Sequence, residues 1–173
     1  MSDNARATRI VTDWQALAPE AGAAIAAFWL REQAIGDAAA GEKRLPEVVA
    51  HALTEAGEIA AVCTAVAMTM PRIGEPMYYY RCFVGKAWRG SRLAFTLLRR
   101  AQRVLEAYAI ANGFPCIGIV MEMENTRFTQ ALRRPVWPAL GFVYAGKSGR
   151  DLDLRVWYFD GARLGSPGPV TKV

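Results

Sequence analysis

The segment from Met77 to Glu124 narrows the possible folds more than any other part of this chain. Met77 to Val84 is dense in aromatic and β-favouring residues and reads as a strand. From Ser91 to Asn112 the apolar positions Leu93, Ala94, Leu97, Leu98, Ala101, Val104, Leu105, Tyr108 and Ala109 recur at helical period, and Asn112-Gly113 supplies a stop. After Pro115, the residues Ile117, Ile119, Met121 and Met123 alternate with Gly118, Val120, Glu122 and Glu124, the period of two of a strand with unlike faces. Strand, long helix and strand in that order form a βαβ unit.

The flanking segments complete an α/β chain. Thr8 to Val11 reads as a short strand, and Pro19 opens a first helix that carries Ile25, Phe28, Trp29 and Ile35 on one face. Asp37 to Lys43 reads as a loop. Pro46 opens a second helix through Val48, Val49, Ala52 and Leu53, stopped by Gly57, with His51 as an ordinary flank residue. Glu58 to Met70 and Met77 to Val84, joined by Pro71-Arg72-Ile73-Gly74, read as an antiparallel hairpin. Beyond Asn125 a helix is expected over Thr126 to Arg134, ended by Pro135 and Pro138, and Phe142 to Lys147 and Leu154 to Phe159 close a final hairpin.

With 173 residues the chain suffices for one domain with a hydrophobic core and is too short for two of full size. We expect that domain over residues 1–164 and a flexible Gly/Pro tail over 165–173. Apolar residues make up 53% and charged residues 21%, as in soluble globular proteins. No apolar run is long enough to cross a bilayer and Met1 to Arg9 carries no signal-peptide core, so a cytoplasmic protein without a membrane partner is expected. Three scattered cysteines and one histidine argue against a disulfide framework and against a Cys/His zinc site, so no metal is expected.

The net charge of +5 matters less than its placement. Between Pro76 and Leu105 lie Arg81, Lys86, Arg89, Arg92, Arg99, Arg100 and Arg103 and not one acid, a local field that attracts phosphate on a nucleotide cofactor or on nucleic acid. The bases centre on Phe83-Val84-Gly85-Lys86-Ala87-Trp88-Arg89-Gly90-Ser91-Arg92-Leu93-Ala94, where a strand ends and a helix begins. The first N–H groups of a helix lack intrahelical partners and its dipole is positive there, so such a turn can hold a diphosphate. Gly90 would permit close approach, and the arginines would add charge-assisted bonds. Neither GxxxxGK[ST] nor GxGxxG is present, which argues against a P-loop or dinucleotide fold.

Val84 through Ala94 resembles the acyl-CoA-binding motif of the GCN5-related N-acetyltransferases (GNAT), [QR]-x-x-G-x-[GA] after a strand ending in Val, with Arg89 first, Ala94 last and Arg92 where the family has its middle glycine. The order of elements over roughly residues 8 to 160 is similar to the whole family topology. The resemblance implies a single-domain mixed sheet flanked by helices, whose central parallel strands splay apart near Val84 to admit pantetheine. It implies acetyl-CoA or another acyl-CoA as co-substrate. The thioester carbonyl would be polarised by the Val84 N–H, and Phe83, Val84, Arg89, Gly90, Ser91, Arg92, Leu93 and Ala94 would bind the cofactor. Glu122 and Glu124 are the base candidates, and Asn125 matches the asparagine that often opens the family's next helix. The family's frequent tyrosine acid falls on Trp137, which cannot donate a labile proton, leaving Tyr78, Tyr80 and Tyr144 as substitutes.

These readings predict an N-acyltransferase that moves an acyl group, foremost acetyl, to a primary amine of a small molecule, peptide or protein by direct attack. The paired glutamates point to a cationic acceptor. The alternative is an inactive GNAT-like module that retains acyl-CoA as a sensor or partner subunit, suggested by Arg92 and Trp137. Nucleic-acid binding ranks last, because the bases gather at one strand–helix junction and no RNA-binding motif is visible. A homodimer is compatible with the sequence.

Overall fold

The computed structural model describes residues 9–124 and 133–165. In chain order the elements are β1 (Arg9–Thr12), α1 (Pro19–Arg31), α2 (Ala38–Arg44), β2 (Val48–Leu53), β3 (Ile59–Thr69), β4 (Pro76–Val84), α3 (Leu93–Ala111), β5 (Gly118–Met123), β6 (Val143–Lys147) and β7 (Asp153–Tyr158), with single 3-10 turns at Leu45–Glu47 and Lys86–Trp88. The strands form one mixed sheet in the order β1-β2-β3-β4-β5-β7-β6. β1 with β2, β2 with β3, β5 with β7 and β6 with β7 are antiparallel. β4 and β5, joined through α3, are parallel, as the βαβ reading requires. Their ladder is short: Tyr78 pairs with Ile119 and Tyr79 with Val120, although β4 runs on to Val84 and β5 to Met123.

The chain divides into two compact units, Met1–Ala65 with Arg81–Leu105, and Val66–Tyr80 with Glu106–Val173. In the first, α1 lays Ile25, Phe28 and Trp29 against Val48, Ile59 and Val62. Each of these side chains is at least nine-tenths buried, and each such burial contributes about 1.5–3 kcal/mol. Pro19 at the start, Glu20 in the first turn and Arg31 in the last suit the helix dipole. The helix ends where Gln33 turns to φ 58° and the Ala34 N–H reaches back to the Trp29 carbonyl (2.8 Å), a Schellman-type stop. In the second unit, Met77, Ile117 and Val120 pack with Met70, Leu154 and Val156.

Two sequence expectations are overturned. The helix expected from Pro46 through Leu53 is the strand β2, and the loop expected over Asp37 to Lys43 contains α2. β2 is buried from Val48 through Ala52, so no polar face alternates with an apolar one. α2 is capped by Asp37, whose Oδ1 accepts the Ala40 N–H at 2.8 Å. His51 is therefore not a helix flank. It is buried on β2, and its Nδ1 lies 2.6 Å from Asp13 Oδ2, tying the chain just beyond β1 to its neighbouring strand. The first arm of the expected hairpin is one long strand, β3. Of the helix expected over Thr126 to Arg134, residues 125–132 lie outside the described residues, and Arg133 and Arg134 are not helical. Of the tail expected over 165–173 only Gly165 is described, and its N–H donates to Glu75 Oε1 at 2.7 Å.

Candidate functional site

At the end of β4 the chain is held before it turns. The Gly85 N–H donates to the Ala60 carbonyl (2.9 Å), and a Cβ at Gly85 would lie 3.2 Å from that oxygen and from the Phe28 ring. The Lys86 N–H donates to Glu32 Oε2 at 2.9 Å. After the turn at Lys86–Trp88, Gly90 adopts φ +83°, a conformation an L side chain enters with strain, and nothing lies within 4 Å of where its Cβ would be. Ser91 Oγ accepts the Leu93 N–H (3.3 Å), and the Arg92 carbonyl accepts the Thr96 N–H (3.0 Å) as α3 begins.

The eight residues expected to bind cofactor divide by burial. Arg89, Gly90, Ser91 and Arg92 are exposed and consecutive, and Val84 and Ala94 are half-buried. Leu93 is buried, with its amide already engaged by Ser91. Phe83 packs edge-on against Phe28 at 5.9 Å, while the Arg89 guanidinium lies 5.8 Å from the Phe83 ring centre. Phe83 thus belongs to the core of its unit and gives Arg89 a surface to rest on.

In the other unit both base candidates meet a residue that the sequence did not single out. Tyr79 donates its hydroxyl to Glu122 Oε2 at 2.7 Å. Arg150, on the turn between β6 and β7, donates to the same oxygen through Nε (3.0 Å) and Nη2. The same Nη2 lies 3.1 Å from Glu124 Oε1 and 3.3 Å from the Tyr79 hydroxyl. The Glu122 side chain is only 10% exposed, whereas Glu124 is 71% exposed. Burial pushes the Glu122 carboxyl up, but hydrogen bonds from Arg150, Ser148 and Tyr79 together with the Arg150 charge outweigh it and hold the group at about 2. Burial, then the bond to Glu122, pushes Tyr79 up to about 12. A carboxylate that accepts so many donors is a weak base, since a base is most effective with a pKa near the working pH.

Trp137, at the expected tyrosine position, is 3% exposed. Its backbone N–H donates to the Phe142 carbonyl (2.8 Å), and its ring lies 4.9 Å from the guanidinium of buried Arg155, which is also 5.5 Å from the Tyr144 ring. Arg155 Nη1 donates to the carbonyls of Arg134 (2.8 Å) and Pro135 (3.1 Å). Trp137 and Tyr144 therefore serve a cation–π clamp. Tyr78 and Tyr80 are buried, and burial raises Tyr78 well above the ordinary tyrosine range. Asn125 lies outside the described residues. Among the described residues no group of His, Cys, Asp and Glu is arranged to hold a metal ion, and no helix is long and apolar enough to cross a membrane.

A mixed seven-stranded sheet with a short parallel β4–β5 ladder, its two strands joined through one long helix, is the fold of the GNAT acetyltransferases. One GNAT acetyltransferase, from Streptococcus pneumoniae, aligns over 87% of this chain and 96% of its own at 16% identity and TM-score 0.57. Another, from Listeria monocytogenes 4b F2365, aligns over 92% of this chain and 99% of its own at 19% identity and TM-score 0.55. The structure of AtaTR bound with AcCoA aligns over 68% of this chain and 71% of its own at 14% identity and TM-score 0.50. No family model matches the sequence, and no curated protein does.

Proposed function

We propose that this chain is an acyl-CoA-dependent N-acyltransferase of the cytoplasm that moves an acetyl group to a primary amine by direct attack. The observation that carries this reading is the β4–α3 junction within a GNAT fold: Gly90 at φ +83° with open space over its Cα, flanked by exposed Arg89, Ser91 and Arg92. Such a turn fits a diphosphate, with backbone N–H groups and guanidinium groups as donors. Arg92, where the family motif has glycine, adds a charge to that site.

The Val84 N–H polarises the thioester carbonyl as the amine nitrogen bonds to the acyl carbon and the C–S bond breaks. The amine must lose a proton and the departing thiolate must gain one. Of the two glutamates, Glu124 is the better base: it is exposed and meets Arg150, whereas Glu122 is half-buried and its Oε2 already accepts from Tyr79 and Arg150. Glu122 instead anchors the β6–β7 turn through Arg150 and Ser148.

A thermal shift with CoA tests the central claim. A ligand bound only by the native state at a hundredfold excess over Kd adds about 2.7 kcal/mol, which for a chain of this size raises Tm by about 5–10 °C. No shift at millimolar CoA, with adenosine diphosphate also silent, would remove it. A shift with CoA but no thiol release with any amine would favour the sensor reading.

A further inference from the structure

Arg150 is held in place by its turn. Ser148 Oγ accepts the N–H groups of Arg150 (3.1 Å) and Leu152 (3.3 Å), the Asp151 N–H donates to the Ser148 carbonyl (3.0 Å), and Asp151 sits at φ 60°. Across the turn Lys147 pairs with Asp153 at 2.8 Å. This turn delivers one guanidinium to two carboxylates, Glu122 and Glu124, and to the Tyr79 hydroxyl. A cation tethered this way competes at the effective concentration of an intramolecular partner, of order millimolar, and its turn needs no further ordering.

We propose that Arg150 is a specificity-determining residue. Its guanidinium fills the carboxylate end of β5 as a built-in cation and excludes acceptors that carry a second positive charge, so that the chain acts on primary amines with a single charge. This rests on the acyltransferase reading above and narrows the cationic acceptor expected from the two glutamates alone. The carboxylates then serve the reacting amine through Glu124, while the charge that would hold a diamine's distal ammonium is already neutralised. Electrostatic exclusion of this kind discriminates by repulsion and by loss of a pairing site, without new contacts to the favoured ligand.

The test uses acceptors matched in length, n-butylamine and 1,4-diaminobutane, with the full chain and its Arg150→Gln and Arg150→Lys variants. Thiol release from acetyl-CoA gives kcat/KM for each amine. In the wild type the diamine is the poorer acceptor. Arg150→Gln raises the diamine-to-monoamine ratio by about tenfold or more, the value of one charge-assisted bond, mainly through KM, and Arg150→Lys stays near the wild type. An unchanged ratio in Arg150→Gln overturns the proposal. If neither amine releases thiol from any form, the acyltransferase reading is judged separately by the CoA thermal shift, and calorimetric titration with 1,4-diaminobutane decides the exclusion: binding gained in Arg150→Gln upholds it, and equal behaviour of the two forms overturns it. Arg150 lies on an exposed turn, with its side chain 56% exposed, and equal melting temperatures establish that the variants fold.

Discussion

Replacing Glu122 by glutamine separates the charge of this residue from its shape. Glutamine keeps an oxygen for the Tyr79 hydroxyl 2.7 Å away and leaves Arg150, already more than half exposed, free to hydrate. What is lost is the ionised carboxylate. A carboxyl moved from 4.5 to about 2 on folding corresponds at face value to roughly 3 kcal/mol. Because its principal partner is solvent-exposed, screening reduces this to about 1–2 kcal/mol. The sign follows from the depressed pKa: the folded state binds a proton less readily than the unfolded chain, so the contribution is present above pH 4.5 and is lost as pH falls through about 2. Urea unfolding of wild type and Glu122→Gln at pH 7, 4 and 2.5 should give a gap of about 1–2 kcal/mol at pH 7 that narrows steadily at the two lower values. A gap that keeps its size at pH 2.5, or none at pH 7, would refute the assignment of Glu122 as a charge-stabilised anchor.

Arg92→Ala should weaken CoA binding and flatten its dependence on salt, measured by titration at two ionic strengths; tighter binding by Arg92→Gly would instead mean that the arginine obstructs the turn. Glu124→Gln should lower the rate of thiol release by about 10²–10⁴-fold with CoA affinity nearly unchanged, and a wild-type rate across pH 6 to 9 would assign the chemistry to positioning alone. Gly118→Ala should destabilise the fold by about 1–3 kcal/mol in thermal unfolding, because its Cβ would press on the Trp157 carbonyl oxygen and meet Tyr158 Cα at 3.0 Å.

Elements with long periodic patterns were legible in the sequence. α3 repeats its apolar stripe over five turns, and β5 runs out through Met121-Glu122-Met123 into Glu124 in strict alternation, so the βαβ unit follows from spacing. β2 misled because Val48, Val49, Ala52 and Leu53 also satisfy a helical face, and a strand buried on both sides carries no alternation to contradict it. α2 has almost no apolar stripe, and only the Asp37 cap marks it. At the site, Glu122 and Glu124 could be named from their place at the end of a strand. Tyr79 and Arg150 could not, since 71 positions separate them and only the strand pairing brings their side chains together. Trp137 was identified as unable to donate a proton, but its partner Arg155, buried in β7, carries no sequence signal that distinguishes it from a surface arginine.

The Arg155 clamp also determines how the sheet ends beyond β6. Val136 bridges Val143, the Tyr144 N–H donates to the Pro135 carbonyl (2.7 Å), and the Trp137 N–H donates to the Phe142 carbonyl (2.8 Å), so the outer backbone is already paired where β6 begins, at Phe142 and Tyr144. The covering segment begins at Pro135 and is followed by Pro138, neither of which has an N–H to offer another strand. The start of this margin is therefore a poor template for strand addition, whether by a second copy, an extended peptide or an aggregate. Association there has to proceed through side chains, of which Val136 (49% exposed) and Tyr144 (44%) are the large apolar ones available.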